Sequence, residues 1–238
     1  MVFSEFQKKV VIITGASGGI GSAVSKQFLQ YGAIVYMTDI KGKNETNFIQ
    51  GDISAPGFVK DLINQIMKTE GRIDILINNA GICPRTPIKD ITREEWNNVM
   101  EINLTSLFFL SQTVFDIMLN QKAGTIVNLS SIAGKNGGTT VGAHYSASKA
   151  AIECMTKTFA KLGAPFGVRV NAVAPGIINT RLMLDGVTSE QMEQFYRSIP
   201  MKRLGTPDEV ANIILFLASD LASYVTGINM NIDGGFYM

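Results

Sequence analysis

Short apolar runs alternate with amphipathic stretches along the whole chain, and the first run leads straight into a glycine-rich turn. Residues 10–14 read as a buried strand stopped by Gly15, and a helical pattern follows over 19–31, ended by Gly32. Further strands are expected at 33–38, 48–49, 73–77, 125–129, 168–173 and 228–232. Helices are expected over 56–70, from 92 to about 120, around Tyr145 and Lys149 to about 162, and over 189–198. Thr92 with Glu95 and Thr206 with Glu209 have the spacing of capping boxes, the second with Pro207 at the first helical position. Strands alternating with helices in this way predict an α/β fold with a parallel sheet and helices on both faces. The 238 residues suit one domain, 1–238, with a substantial core. The longest stretch without a strand, about 177–205, is a candidate lid.

Composition excludes several functions. The formal charge is +1 with no basic block, so neither nucleic acid nor an anionic membrane is an expected partner. No apolar run reaches the ~18 residues of a membrane span, and the first residues do not form a signal peptide, so the expected address is cytoplasmic. Cys83 and Cys154 do not make a metal-spaced cluster and His144 is the single histidine, so no metal site is expected and both thiols are read as reduced.

The turn after the first strand reads Gly-Ala-Ser-Gly-Gly-Ile-Gly, with Gly15, Gly19 and Gly21 in a G-x-x-x-G-x-G spacing. Glycines between a strand and a helix let the backbone approach a pyrophosphate, and the helix N-terminus favours its charge. Asp39 ends the second strand, where a carboxylate can bond ribose hydroxyls and repel a 2′-phosphate. The expected cofactor is therefore NAD, with Lys41 and Lys43 nearby keeping NADP open. Tyr145 and Lys149 stand one helical turn apart on one face. An ammonium beside a phenol is expected to lower the phenol's pKa and make it a proton donor and acceptor near neutral pH.

Residues 14–21, Asn78-Asn79-Ala80-Gly81, Asn103, Ser131, Tyr145-x-x-x-Lys149 and Pro175-Gly176 together resemble the ordered motifs of the short-chain dehydrogenases/reductases over essentially the whole chain. The resemblance implies a single Rossmann-type doubly wound sheet of seven mainly parallel strands. It also implies hydride transfer between a nicotinamide cofactor and a small-molecule alcohol or carbonyl. Tyr145 would be the general acid/base, Lys149 would lower its pKa and bond the nicotinamide ribose, and Ser131 would orient the substrate oxygen. Asn103 would hold a water in the proton relay behind Lys149. Ser130 is the adjacent alternative, with its side chain expected on the other side of the strand end. On the cofactor side, Gly15, Ser17, Gly19, Ile20 and Gly21 would form the phosphate turn. Asp39 and Ile40 would meet the ribose end, Asp52 and Ile53 the adenine, and Asn79, Ala80 and Gly81 the adenosine ribose. Pro175, Ile178 and Thr180 would meet the nicotinamide. A homotetramer is implied as well.

The tail, from Arg203-Leu-Gly205 to the final Asp233-Gly-Gly-Phe-Tyr-Met238, is similar to that of 3-oxoacyl-(acyl-carrier-protein) reductases. An acyl thioester is thus the alternative substrate to a general ketone or secondary alcohol. Lys122, Lys135 and Arg181 are candidates for docking an acidic carrier. Three departures stand out: a short connection between Asp39 and Asp52, an Asp39 that opposes NADPH, and Arg181 where those reductases often carry Asp. A catalytically inactive nucleotide-binding scaffold is the distant alternative. His144 is read as structural and Cys83 as near the cleft without a nucleophilic role. Trp96, Phe108, Phe109 and Phe115 are read as helix core or subunit interface. Met183, Leu184, Met192, Phe195 and Tyr196 form an apolar set that either covers the substrate or packs on the body.

Overall fold

The first strand, β1 (Val10–Thr14), is buried along its whole length because helices cover both faces of its sheet. Val11 and Ile13 join one apolar layer while Val10 and Ile12 join the other, as the alternation of side chains along a strand requires. The computed structural model describes residues 3–42, 46–138 and 140–238. After β1 come α1 (Gly19–Gln30), β2 (Ile34–Asp39), β3 (Phe48–Gln50), α2 (Phe58–Glu70) and β4 (Ile75–Asn78). Then follow α3 (Arg93–Met100), α4 (Ser106–Gln121), β5 (Gly124–Leu129), α5 (Ala133–Asn136), α6 (Ala143–Gly163) and β6 (Val168–Pro175). The chain closes with α7 (Arg181–Leu184), α8 (Ser189–Ser198), α9 (Pro207–Ala218) and β7 (Asn229–Ile232).

The seven strands lie in the order β3-β2-β1-β4-β5-β6-β7, and every pairing is parallel. Val24 and Phe28 of α1 meet Val210 and Ile214 of α9 on one face. Leu62 and Ile66 of α2, Leu110 and Val114 of α4, and Phe159 of α6 fill the other. The order reverses between β1 and β4, and a crevice opens there at the carboxyl ends of the strands.

Three details differ from the sequence reading. The helix expected from residue 92 to 120 contains a π turn, Glu101–Thr105, in which the Ser106 amide donates to the Glu101 carbonyl. The extra residue in that turn seats Asn103 with no exposure to solvent. Second, Thr92 accepts from the Glu95 amide, but Glu95 does not return the bond, because its carboxylate takes the Thr86 hydroxyl at 2.5 Å instead. The Thr206–Glu209 box is complete. Third, the continuous helical stretch Arg93–Gln121 is long and apolar enough to cross a membrane by length and composition. Here Leu107, Leu110, Val114 and Met118 of that stretch are buried in the fold. The short β2–β3 link has a packing counterpart: the Phe48 ring lies where a side chain on Gly42 would be, 1.8 Å from an added Cβ. Lys43 lies outside the described residues.

Candidate active site

The glycine turn is packed too tightly for side chains at two positions. Gly15 has φ +62°, and a Cβ on Gly21 would sit 2.2 Å from the Gly15 carbonyl oxygen. Thr14 and Asn79 stitch this turn to the end of β4. The Thr14 hydroxyl accepts from the Asn79 and Ala80 amides at 3.0 Å, and Asn79 Nδ2 donates to the Thr14 and Gly15 carbonyls at 2.9 Å. No side chain among the described residues caps the start of α1, which leaves its first amides available to an anion.

A cavity of about 320 Å³ lies along this turn. Gly15, Gly19 and Ile20 line it from the turn, Asp39 and Ile40 from the end of β2, and Asp52 and Ile53 from the segment after β3. Asn79, Ala80, Gly81 and Thr180 complete its wall. Gly21 and Ser17 are not on that wall. Gly21 lies against the Gly15 carbonyl, and the Ser17 hydroxyl donates to the Lys41 carbonyl at 2.5 Å. Asp39 braces the turn, accepting from the Ser17 amide at 3.0 Å and from its neighbour Ile40 at 2.7 Å. Each carboxylate oxygen keeps a lone pair for a further donor.

A second cavity of about 390 Å³ adjoins the first, sharing Ile20, Asn79, Gly81, Thr180 and Leu182 with it. Ser131, Tyr145, Lys149, Pro175 and Ile178 line this second space. Ser130 also reaches its wall, but its hydroxyl is turned to the Lys149 carbonyl and to Glu153, each at 3.0 Å. Ser131 Oγ accepts from the Ala133 amide at 3.1 Å, and its O–H remains to donate on the side facing the Tyr145 phenol. Lys149 is 5% exposed; its Nζ donates to the Leu129 carbonyl at 2.7 Å and lies 5.7 Å from the Tyr145 ring centre.

The electrostatics correct one expectation. The Tyr145 phenol is pushed up, not down, chiefly because burial disfavours its ionised form; the facing Cys83 also raises it, and the Ser131 hydroxyl pulls the other way. Burial also lowers Lys149, to about 8. Spacing along a helix reveals which groups are neighbours but not how much water reaches them, and here desolvation dominates. Lys149 thus costs stability at neutral pH, where both folded and unfolded chains carry the charge. The cost is about 3 kcal/mol, and it is relieved as pH rises from about 8 toward the unfolded value, because the unfolded chain then binds more protons. Lys149→Met is expected to stabilise the fold by about 1–2 kcal/mol, net of the donor lost to Leu129. Thermal melts at pH 7 measure this, and a lower Tm contradicts it.

Asn103 is committed to the loop after β4. Its Nδ2 donates to the Ile82 carbonyl at 2.9 Å and to Ser148 at 3.2 Å, and its Oδ1 accepts from the Ile82 amide at 2.8 Å. The apolar set in the 177–205 segment divides. Met183 and Phe195 line the second cavity, Met192 packs beside Phe195, and Tyr196 is largely outside. Leu182, Val141, Gln194 and Phe236 also line it; nothing in their local sequence pattern marked them. His144 is wholly buried, with Glu95 3.6 Å from its Nε2 and Trp96 stacked alongside. Phe115 is core, whereas Phe109 and Trp96 are exposed. Two of the docking candidates are otherwise placed. Lys122 precedes β5 at the amino end of the sheet, opposite the crevice, and Lys135 is tied to Asn229 and Asn231 of β7.

Comparison with known proteins bears on the family and the fold. The profile of the family described as Enoyl-(Acyl carrier protein) reductase matches residues 15–237. The chain is 41% identical to the 3-oxoacyl-(acyl-carrier-protein) reductase FabG of Thermotoga maritima, over 95% of this chain and 97% of that one. It is 36% identical to the acetoacetyl-CoA reductase of an Acinetobacter species, over 98% and 99%. Among solved structures, the aldohexose dehydrogenase of Thermoplasma acidophilum superposes with a TM-score of 0.90 at 35% identity, covering 98% of this chain and 96% of that one. With seven parallel strands, a glycine turn at the switch point and Ser131, Tyr145 and Lys149 in the adjoining cavity, the chain belongs to the short-chain dehydrogenase/reductase family of oxidoreductases.

Proposed function

We propose that the protein reduces the 3-keto group of an acyl thioester to a secondary alcohol, using a nicotinamide cofactor. The observation that carries this reading is the meeting of Tyr145, Ser131 and Lys149 in a cavity that shares Gly81 and Ile20 with the glycine-turn cavity. The tight turn at Gly15 and Gly21 and the uncapped start of α1 fit a diphosphate. Asp39 and Ile40 would hold the adenosine ribose, Asp52 and Ile53 the adenine, and Pro175, Ile178 and Thr180 the nicotinamide. The free lone pairs of Asp39 favour NAD over NADP. A bound nicotinamide nucleotide supplies the hydride.

The chain's own residues do the rest. Tyr145 holds its proton firmly in the buried site and donates it to the carbonyl oxygen. The free O–H of Ser131 donates to the same oxygen and fixes its position. Lys149 carries the positive charge that stabilises the phenolate left behind. Asn103 spends its side chain on Ile82 and Ser148, so only its main chain would be left to contribute to a proton route. Reduction is therefore expected to be level with pH on the acid side and to fall as pH passes about 8, where Lys149 loses its charge. The pH profile of kcat/KM measures this. In Lys149→Arg the alkaline limb should disappear with whatever activity remains, and an unmoved limb assigns it to another group.

Substrate class is supported by the two relatives named as 3-oxoacyl and acetoacetyl-CoA reductases. Two of the basic candidates favour a second reading within the same chemistry, a small free ketone or sugar alcohol, because Lys122 stands at the far end of the sheet and Lys135 is engaged by Asn229 and Asn231. A panel of 3-oxoacyl thioesters, cyclic ketones, diols and sugar alcohols, followed by the absorbance of reduced nicotinamide, separates the two. The highest kcat/KM on a thioester is the expected result, and turnover of sugar alcohols alone overturns it. Exposed Phe109 on α4 and Leu162 on α6 support a homo-oligomer, taken as a tetramer, and the two free cysteines suit a reducing cytoplasm.

A further inference from the structure

We infer that Arg85 is a positioning residue, a latch that holds α7 closed over the substrate cavity. Arg85 sits in the loop after β4, and its guanidinium forks between two main-chain carbonyls. Nη1 donates to Thr140 at 3.0 Å and Nη2 donates to Met183. Thr140 and Met183 both line the cavity, and they belong to different parts of the chain: the approach to α6 and the helix α7. One planar side chain thus joins the two. Arg85 forms no ion pair among the described residues, so its donors are committed to these carbonyls rather than to a carboxylate.

The loop that carries Arg85 is a rigid platform. Asn103 grips the Ile82 peptide on both sides, the Gly142 amide donates to the Pro84 carbonyl at 2.8 Å, and Thr86 donates to Glu95. The lid is anchored separately at its base. Ile178 bridges to Gly205, the Asn179 amide donates to the Gly205 carbonyl at 2.8 Å, and the Gly205 amide donates to Ile177 at 3.0 Å. Between these base bonds and the far end of α8, Arg85 is the only side chain from outside the lid that hydrogen-bonds α7 or α8 among the described residues. α7 is four residues long, so its last carbonyls have no partner within the helix, and the Arg85 fork takes one of them. The base bonds hold Thr180 and Ile178 whether or not the latch is closed. The latch therefore acts chiefly on the substrate side of the crevice, because α7 meets the cofactor-side cavity through Leu182 alone.

The inference rests on the cavity being the substrate site, and its test separates the two claims. In Arg85→Ala, amide hydrogen exchange over residues 181–187 should quicken in the purified chain, with no substrate present. With a reactive ketone, KM should rise about tenfold while kcat changes less than about threefold and reduced-cofactor Kd less than about twofold. Arg85→Lys, which offers one compact ammonium in place of a planar fork, should fall between Ala and wild type and serves if the Ala variant misfolds. Unchanged exchange in α7 overturns the latch. So does a joint fall in Tm, cofactor affinity and activity, which would make Arg85 a general structural residue. Faster exchange with no turnover of any ketone would keep the latch and count against the proposed reaction.

Discussion

Tyr145→Phe is expected to lower kcat for ketone reduction by about a thousandfold and to change the Kd of reduced cofactor by less than about twofold. The substitution removes one oxygen from a cavity wall and leaves the ring that packs against Lys149. The reaction then lacks the group that gives a proton to the carbonyl oxygen, while Ser131 still offers a hydrogen bond. Burial keeps the phenol protonated through the neutral range, so in the wild type the donor is always charged with its proton for reduction. For alcohol oxidation the same burial opposes loss of the proton, and the rate should climb with pH. Stopped-flow turnover together with fluorescence titration of the cofactor measures both quantities. A kcat near that of wild type would remove Tyr145 from the chemistry.

Asp39→Ala is expected to shrink the ratio of kcat/KM for NAD over NADP by about 10–100-fold, which corresponds to about 1.4–2.8 kcal/mol of discrimination. Two effects act together. The carboxylate stands on the cavity wall, where it would repel a 2′-phosphate and accept from ribose hydroxyls. It also braces the glycine turn through the Ser17 amide, so NAD itself should bind more weakly in the variant. Asp39→Asn removes the charge at constant shape and can keep the Ser17 bond through its one carbonyl oxygen, giving up the bond from Ile40. Steady-state kinetics with both cofactors supply the ratio. If the ratio does not move in either variant, the ribose end of the cofactor lies elsewhere in the crevice.

Much of the fold was readable because its causes are local. Val10–Thr14 is apolar throughout since both faces are covered, and Gly15 breaks it where φ must be positive. Thr206, Pro207 and Glu209 start α9 by bonds within four residues. What escaped depended on partners distant in sequence. Glu101–Thr105 has the periodicity of an ordinary helix, and its π turn goes with the bonds of Asn103 to Ile82 in the loop after β4. Glu95 abandoned its capping partner for Thr86, a residue the helix pattern does not involve. The upward shift of the Tyr145 pKa comes from burial by several segments at once, and the fork of Arg85 joins residues 55 and 98 positions away.

The site residues were legible as types and spacings, and their arrangement was legible only through resemblance. Tyr145 and Lys149 follow from one helical turn, but Ser131 comes from the end of β5 and Gly81 from the loop after β4. Parallel pairing of β4 with β5 and β5 with β6 brings those carboxyl ends side by side. The lid contributes by shape: Leu182 and Gln194 line the cavity because of how α7 and α8 turn, which no short motif encodes.

The most direct test of hydride transfer in this cavity uses cofactor deuterated on the reactive face of the nicotinamide ring. Mass spectrometry of the product from the best ketone of the panel should find deuterium on the carbinol carbon, with about a thousandfold less transferred by Tyr145→Phe over the same time. Product alcohol formed by the wild-type chain without that label would contradict the account.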